Sequence, residues 1–122
     1  KAKGLRGSAM GIVGLETAFP LLYTNLVKKQ KVVTLEKLVS LMSEAPARRF
    51  GLESGIREGA DANMALWDLS AEYEIDPNDF LSMGKATPFA GKAVRGRIVL
   101  TLKDGTPVWR DALGSRKKSL SL

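Results

Sequence analysis

The residue types that most often carry chemistry in proteins are poorly represented in this sequence. Its 122 residues include neither histidine nor cysteine. This excludes disulfides and thiolate chemistry, and it removes the commonest zinc, copper and haem ligands and the usual general base near neutral pH. The carboxylates of the middle of the chain are scattered without ligand spacing: Glu53, Glu58, Asp61, Asp68, Asp76 and Asp79. We interpret them as turn, cap and surface residues.

The most suggestive local pattern is the segment Gly11-Ile12-Val13-Gly14-Leu15-Glu16, where a glycine-containing loop leads into a predicted helix. A helix N-terminus can hold an anion on its free N–H groups. The glycine spacing matches neither a dinucleotide-binding fingerprint nor a P-loop. Two interpretations therefore stay open, an anion site and glycines that only shape the turn into the helix. Glu16 is in turn either a catalytic carboxylate or a first-turn acid favoured by the helix dipole.

The charge of the chain does not indicate a nucleic-acid-binding surface. Nineteen Lys and Arg residues against thirteen Asp and Glu give a net charge of +6. Six basic residues near the two ends equal this excess: Lys1, Lys3, Arg6, Arg116, Lys117 and Lys118. The rest of the chain is balanced and has no aromatic-basic motif, so we expect no nucleic-acid partner. No apolar run is long enough for a membrane span, and the absence of cysteine fits a cytoplasmic protein.

The elements that must position these residues begin with helices, because apolar residues recur at helical spacing from Ile12 to Leu52. The first predicted helix has an apolar stripe on one side: Leu15, Ala18 or Phe19, Leu22 and Leu26. Thr34 is the expected N-cap of a second helix. The buried face of that helix is expected to comprise Leu35, Leu38, Val39 and Met42. Pro46 ends it or opens a short following turn, which Gly51 closes in the left-handed conformation.

From about Asn63 the apolar period falls to two, which predicts strands. The first strand, which begins at Met64, has apolar residues on both faces, so we expect it to be covered on both sides. Tyr73 and Ile75 alternate with acidic residues and predict a separate, half-exposed strand.

A third strand is predicted around Ile98, and the Asp104-Gly105 pair after it is a strong signal for a two-residue hairpin turn. Pro107 has no N–H to donate and confines the returning strand to a sheet edge. Helices followed by strands indicate an α+β fold rather than alternating βαβ units.

A set of longer motifs follows the same order along the chain as in a known enzyme family. It begins with GIVGLETAFPLLYT at residues 11–24 and continues with APARRFGL at 45–52, GI and EGADAN within 55–63, DFLS at 79–82, TPFAG at 87–91 and the hairpin ending at Trp109. The ordered set resembles the C-terminal part of bacterial-type dihydroorotases, cyclic amidohydrolases of pyrimidine biosynthesis. The resemblance covers about residues 1–109. Among its departures, Ala45 stands where the family has Asn, and Asn63 where it has Asp.

The resemblance implies a two-part architecture. Residues 1–58 would supply the last helices of a (β/α)₈ amidohydrolase barrel, residues 59–112 strands of a small composite β domain, and residues 113–122 a disordered basic tail. A complete barrel needs about 250 residues. We therefore expect an N-terminal remainder of the same enzyme to be the main partner of this chain.

The resemblance also implies the reversible cyclisation of N-carbamoyl-L-aspartate to dihydroorotate. Zinc in the family polarises the amide carbonyl and lowers the pKa of a bound water. The family's zinc ligands, histidines and an aspartate, lie upstream of this segment. We therefore expect the chain to carry no catalytic or metal-binding residue, to bind no cofactor and to be inactive alone. Homodimerisation and association with aspartate transcarbamoylase are further expectations.

One piece of the substrate site would remain in this chain. A Phe-Gly pair before the last barrel helix contacts substrate in the family, and by position it corresponds to Met10 and Gly11. Met10 replaces an aromatic ring with a flexible thioether. Two alternatives stay open for the whole protein. One is a sister cyclic amidohydrolase of the dihydropyrimidinase or allantoinase type. The other is a non-catalytic dihydroorotase-like partner of aspartate transcarbamoylase.

Overall fold

A computed structural model describes residues 11–111 of the chain. Met10 and the predicted basic tail at 113–122 lie outside the described residues, and the division of the chain at residues 58 and 59 stays a prediction. Between residues 11 and 111, no helix is long and apolar enough to cross a membrane.

The first helical stretch combines an α-helix with a wider turn. Helix α1 spans Ala18–Leu22 and continues as a π-helical segment, Tyr23–Lys29. Pro20 lies in the first turn of α1, where its missing N–H costs no helical hydrogen bond. The side facing the rest of the chain carries Pro20, Tyr23 and Thr24, which are buried. The predicted apolar stripe does not supply this buried side, since Leu15 is 96% exposed.

The second helical stretch runs without a break past Pro46. Helix α2 spans Leu35–Val39, a π-helical segment covers Ser40–Glu44, and helix α3 spans Ala45–Phe50. The Thr34 cap is confirmed, because its hydroxyl oxygen accepts a hydrogen bond from the Lys37 N–H at 3.2 Å. Gly51 ends α3 in the left-handed conformation as predicted, with φ of 66°. Of the predicted buried face of α2, only Leu38 is fully buried, whereas Val39 and Met42 are exposed.

Three antiparallel strands form a sheet in the order β1-β2-β3. Their bounds are Met64–Glu74, Ala93–Lys103 and Thr106–Arg110. The α+β order of helices followed by strands is therefore confirmed, and Pro107 lies on the edge strand β3 as predicted. The turn between β2 and β3 has positive φ at both Asp104 and Gly105, as the hairpin prediction requires.

The prediction of two separate strands before Asp76 is wrong, because β1 is one strand with an irregularity. Its register against β2 shifts between Asp68 and Glu72. The Asp68 carboxylate accepts hydrogen bonds from the Ser70 N–H at 2.9 Å, the Ser70 hydroxyl at 2.6 Å and the Ala71 N–H at 3.2 Å. Residues 69–71 thus fold around the Asp68 side chain, and pairing with β2 resumes at Glu72. Coverage of β1 on both faces is not observed among residues 11–111, since Leu66 is 60% exposed.

Helix α1 packs on strand β2 at a glycine. Gly96 has φ of 97°, and a Cβ built on it would lie 3.4 Å from the Tyr23 ring and 3.5 Å from the Phe19 ring. Next to this contact, the Thr24 hydroxyl accepts from the Arg95 N–H at 2.8 Å and donates to the Arg95 carbonyl at 3.4 Å. These contacts fix the first helical stretch, into which the preceding loop leads, against β2.

Candidate functional site

The loop at Gly11–Gly14 is the part of the candidate substrate site that the structure describes. Gly11 has φ of 77°, a conformation that L residues with side chains rarely adopt, and a Cβ there would meet no described atom within 4 Å. Its backbone is exposed and open to a close approach. Met10, its predicted companion, lies outside residues 11–111, and substrate binding by the pair stays a prediction.

Two sets of backbone contacts hold this loop. The Val13 N–H donates to the Ala86 carbonyl at 2.8 Å, and the Gly14 carbonyl accepts from the Thr17 N–H at 3.1 Å and the Ala18 N–H at 2.8 Å. Gly84 lies against Val13, because a Cβ on Gly84 would be 3.0 Å from a Val13 methyl carbon. One end of the loop is thereby fixed to the segment around residues 84–86 and the other to the start of α1.

Glu16 adds a side-chain contact between the same two parts of the chain. One carboxylate oxygen, Oε2, accepts from the Leu81 N–H at 3.0 Å. The other, Oε1, accepts from the Ser82 N–H at 2.9 Å and from the Ser82 hydroxyl at 2.6 Å. We call this set of contacts the Glu16 latch. Lys85 folds back near it, with its ammonium donating to the Phe80 carbonyl.

The latch keeps Glu16 ionised. Partial burial raises the pKa of its carboxyl, but the Ser82 hydroxyl, the Leu81 and Ser82 N–H groups and the positive charge of Lys85 outweigh burial. The resulting pKa lies below the ordinary value of 4.5. A carboxylate with a lowered pKa and three bound donors is poorly suited to general-base catalysis near neutral pH. The geometry therefore favours an anchoring role over both interpretations that the sequence left open.

A cavity of about 230 Å³ lies beside the latch, lined among others by Glu16, Tyr73, Arg97 and Asp111. The Arg97 guanidinium carbon lies 4.4 Å from the centre of the Tyr73 ring, and an Arg97 nitrogen lies 3.9 Å from an Asp111 oxygen. Burial raises the pKa of the Tyr73 hydroxyl, with Arg97 opposing it, so Tyr73 stays protonated at neutral pH. Arg97 is engaged within the fold, and we interpret this cluster as structural.

The described residues offer no ligand set for zinc, whose ligands in the family would lie upstream of this segment. The sequence has no histidine or cysteine. In the described part, residues 11–111, no three Asp or Glu side chains lie together as a metal would require. Asp68, Asp76 and Asp104 each serve a turn or bulge: Asp76 caps a turn at Asn78, and Asp104 forms the hairpin.

Sequence reasoning missed the partners of Glu16. In the sequence, Leu81 and Ser82 stand out only as part of the DFLS motif at 79–82, which indicates no role for either. They lie 65 and 66 positions from Glu16, and no local spacing links the two segments. An acid just before a helix and a serine in a loop are both common in proteins, so the sequence does not indicate that these two residues pair.

Comparison with known proteins places the chain in a family. The model of the amidohydrolase family matches residues 4–108. The chain belongs to the amidohydrolase family. Its curated relatives include proteins named dihydroorotase from Bacillus cytotoxicus, 52% identical over 111 residues, and from Bacillus thuringiensis, 51% identical over 111 residues. Each alignment covers 90% of this chain and 26% of the relative, so this amidohydrolase segment spans about a quarter of their length.

A solved amidohydrolase structure has a similar fold over most of the chain. It is the L-hydantoinase (dihydropyrimidinase) from Arthrobacter aurescens, with a TM-score of 0.76 and 38% sequence identity. The match covers 84% of this chain and 23% of the hydantoinase. The helices and three-stranded sheet are thus an amidohydrolase substructure.

Proposed function

We propose that this chain is the C-terminal portion of a dihydroorotase that interconverts N-carbamoyl-L-aspartate and dihydroorotate in the cytoplasm. The observation that carries the proposal is the 52% identity over 111 residues to a protein named dihydroorotase. The motif order across residues 1–109 supports the same assignment. In this proposal residues 1–58 complete a (β/α)₈ barrel and residues 59–112 contribute strands of a small β domain.

The role of the chain within the enzyme is to complete the substrate site. Met10 and Gly11 line the substrate, with Gly11 offering an open backbone. Zinc, which supplies carbonyl polarisation and a reactive water in this chemistry, is held in this proposal by residues of the N-terminal remainder. The chain has no histidine or cysteine, and no three acidic side chains lie together in the part that the structure describes. This division predicts that residues 1–122 alone neither bind zinc tightly nor turn over substrate.

The exposed apolar surfaces support the N-terminal remainder as the partner. A groove of about 580 Å³ lies between the second helical stretch and β1, lined mostly by apolar residues: Phe19, Leu35, Val39, Met42, Ile56, Met64, Trp67 and Leu69. Leu66 and Leu41 are also exposed. A contiguous apolar surface of this kind marks an interface. About three quarters of the length of the relatives lies outside this segment, enough chain to cover it.

The test of the function uses the complete gene product that carries this segment. We expect zinc-dependent hydrolysis of dihydroorotate and the reverse cyclisation, with hydantoin, dihydrouracil and allantoin turned over at least about a hundredfold more slowly. A site that pairs with the substrate carboxylate rejects analogues that lack it by this margin or more. Dihydroorotate left intact while another cyclic amide is opened would contradict the proposal.

A sister cyclic amidohydrolase is the second candidate, and the structural similarity to the hydantoinase favours it. The same substrate panel separates the two, because this candidate predicts hydantoin or dihydrouracil as the faster substrate. A protein inactive on the whole panel and without bound zinc would instead support the non-catalytic alternative. Copurification with aspartate transcarbamoylase would then test that partner, and size-exclusion chromatography with light scattering tests homodimerisation.

A further inference from the structure

We propose that Glu16 and Ser82 are positioning residues that hold the Gly11 loop in its substrate-binding shape. The inference rests on the proposed function for its link to substrate. The latch itself rests on geometry alone. It joins the start of α1 to the loop at residues 80–86, two segments that the chain order separates by more than sixty positions.

One backbone hydrogen bond and the side chain of Glu16 together join the two loops. The Val13–Ala86 hydrogen bond of 2.8 Å is the backbone bond between the substrate loop and the 80–86 loop. Such a bond between surface loops opens readily unless a second contact fixes both segments. The Glu16 carboxylate supplies that contact, because it takes both backbone donors and the hydroxyl at the tip of the 80–86 loop.

The acceptor must be a carboxylate for these contacts to be complete. Three donors converge on two oxygens, and each oxygen has lone pairs for them. A glutamine has the same length, but its NH₂ group faces a donor at either position and cannot accept. Glu16→Gln is therefore the sharpest substitution: it keeps the size of the side chain and leaves at least one N–H of the latch without an acceptor.

The apolar residues next to the latch are largely exposed to solvent. Leu81 and Met83, on either side of Ser82, are 76% and 101% exposed, so little apolar burial holds the tip of this loop. Leu15, beside Glu16, is equally unburied. Val13 packs against the cluster that contains the buried Phe80, which holds the base of the two loops together. The polar bonds of the latch set the position of the exposed tip at residues 81–83, and a loosened latch lets the Gly11 backbone move.

The experiment compares E16Q, S82A and S82T in the complete enzyme. Two matched controls are E58Q and S54A, exposed residues of the same types that lie outside the latch. We expect E16Q and S82A to raise the KM for dihydroorotate about fivefold or more, with kcat changed less than about twofold. S82T keeps the hydroxyl, so we expect it to show only a small part of the increase in KM that S82A shows. Both controls are expected to match the unmodified enzyme.

Hydrogen exchange separates positioning from general destabilisation. We expect the Val13 and Ser82 amides to exchange about tenfold faster in E16Q than in E58Q, with exchange of the β2 amides unchanged. Unchanged exchange at Val13 would overturn the latch. Faster exchange with an unaltered KM would overturn its positioning role. An unmodified enzyme without dihydroorotase activity overturns the proposed function and the link to substrate, and the exchange data then still decide whether the latch exists.

Discussion

At the residue scale, the carboxylates of this chain act as hydrogen-bond acceptors that shape the backbone. Glu16 binds two N–H groups and a hydroxyl, Asp68 folds a bulge, and Asp76 caps a turn. Most of these bonds lie at the surface, where water competes for the carboxylate oxygens, so each contributes less than a well-shielded bond to a charged group, which is worth about 1.5–3 kcal/mol. Glu16, the acid for which the sequence left a catalytic role open, thus has a structural role.

The latch makes part of the folding stability dependent on pH. The pKa of Glu16 is lower in the folded chain than its ordinary value, so its stabilisation is fully present above pH 4.5 and is lost as pH falls through the folded pKa. We expect the difference in unfolding free energy between the complete enzyme and its E16Q variant to be constant near neutrality and to shrink in acid. Urea unfolding at several pH values measures it, and a difference that grows in acid would contradict the latch.

Thr24 is a further residue whose side chain accepts a hydrogen bond from a backbone N–H group. Thr24→Val keeps the shape but leaves the Arg95 N–H without the acceptor that lies 2.8 Å away. We expect the complete enzyme to lose about 1–3 kcal/mol of unfolding free energy, the cost of a buried unsatisfied donor. Thr106→Val, at an exposed position of β3, is the control, with an expected change within about 0.5 kcal/mol. Equal effects of the two substitutions would show that the Thr24 bond contributes nothing.

At the element scale, irregular segments decide how the helices and the sheet fit together. The π-helical turns at Tyr23–Lys29 and Ser40–Glu44 continue the helices beyond their α-helical parts, and the bulge in β1 lies opposite Gly96. Bulges increase local twist and bend a strand. The bent strand pair leaves room for α1 to approach β2 at Gly96, the residue of β2 that has no side chain.

Gly96 is where a single added methyl group tests this packing. Gly96→Ala places a side chain at φ of 97° and against the Tyr23 and Phe19 rings, 3.4 and 3.5 Å away. We expect the complete enzyme to lose about 1–3 kcal/mol of stability, the usual cost of such backbone strain. Gly14→Ala is the control, because its φ is not positive and no described atom lies within 4 Å. Thermal unfolding of both variants measures the difference, and a G96A protein as stable as G14A would contradict the close approach.

At the scale of the whole molecule, residues 11–111 have a small core and a large exposed apolar surface. The buried cluster of Ile75, Phe80 and Val94 is small, whereas large apolar residues on both helical stretches and on β1 are exposed. A core of this size rarely supports more than a few kcal/mol. The geometry accords with a segment that spans about a quarter of the relatives' length.

The isolated chain is therefore expected to bind hydrophobic dyes and to self-associate. Residues 1–122 alone should enhance the fluorescence of anilinonaphthalene sulfonate strongly, since the groove beside β1 is open to solvent. Coexpression with the N-terminal remainder of the gene product should abolish most of this signal and yield a copurifying complex. A monomeric isolated chain with weak dye binding, or no complex with the remainder, would contradict this account of the apolar surface.

The sequence by itself determined the features that depend on a few neighbouring residues. The Thr34 cap, the left-handed Gly51, the Asp104-Gly105 hairpin and the order of helices before strands all follow from backbone sterics and hydrogen bonds within about four positions. The motif order determined the family, because it samples most of the chain at once.

Only the tertiary structure decided what joins distant positions. The pairing of Glu16 with Ser82, the single strand β1 in place of two, and the burial of Tyr23 rather than Leu15 depend on contacts between segments dozens of residues apart. A helical stripe tells which residues share a face, but not which face the sheet will cover. That choice is made where Gly96 lets the helix come close, a consequence of packing that no local pattern contains.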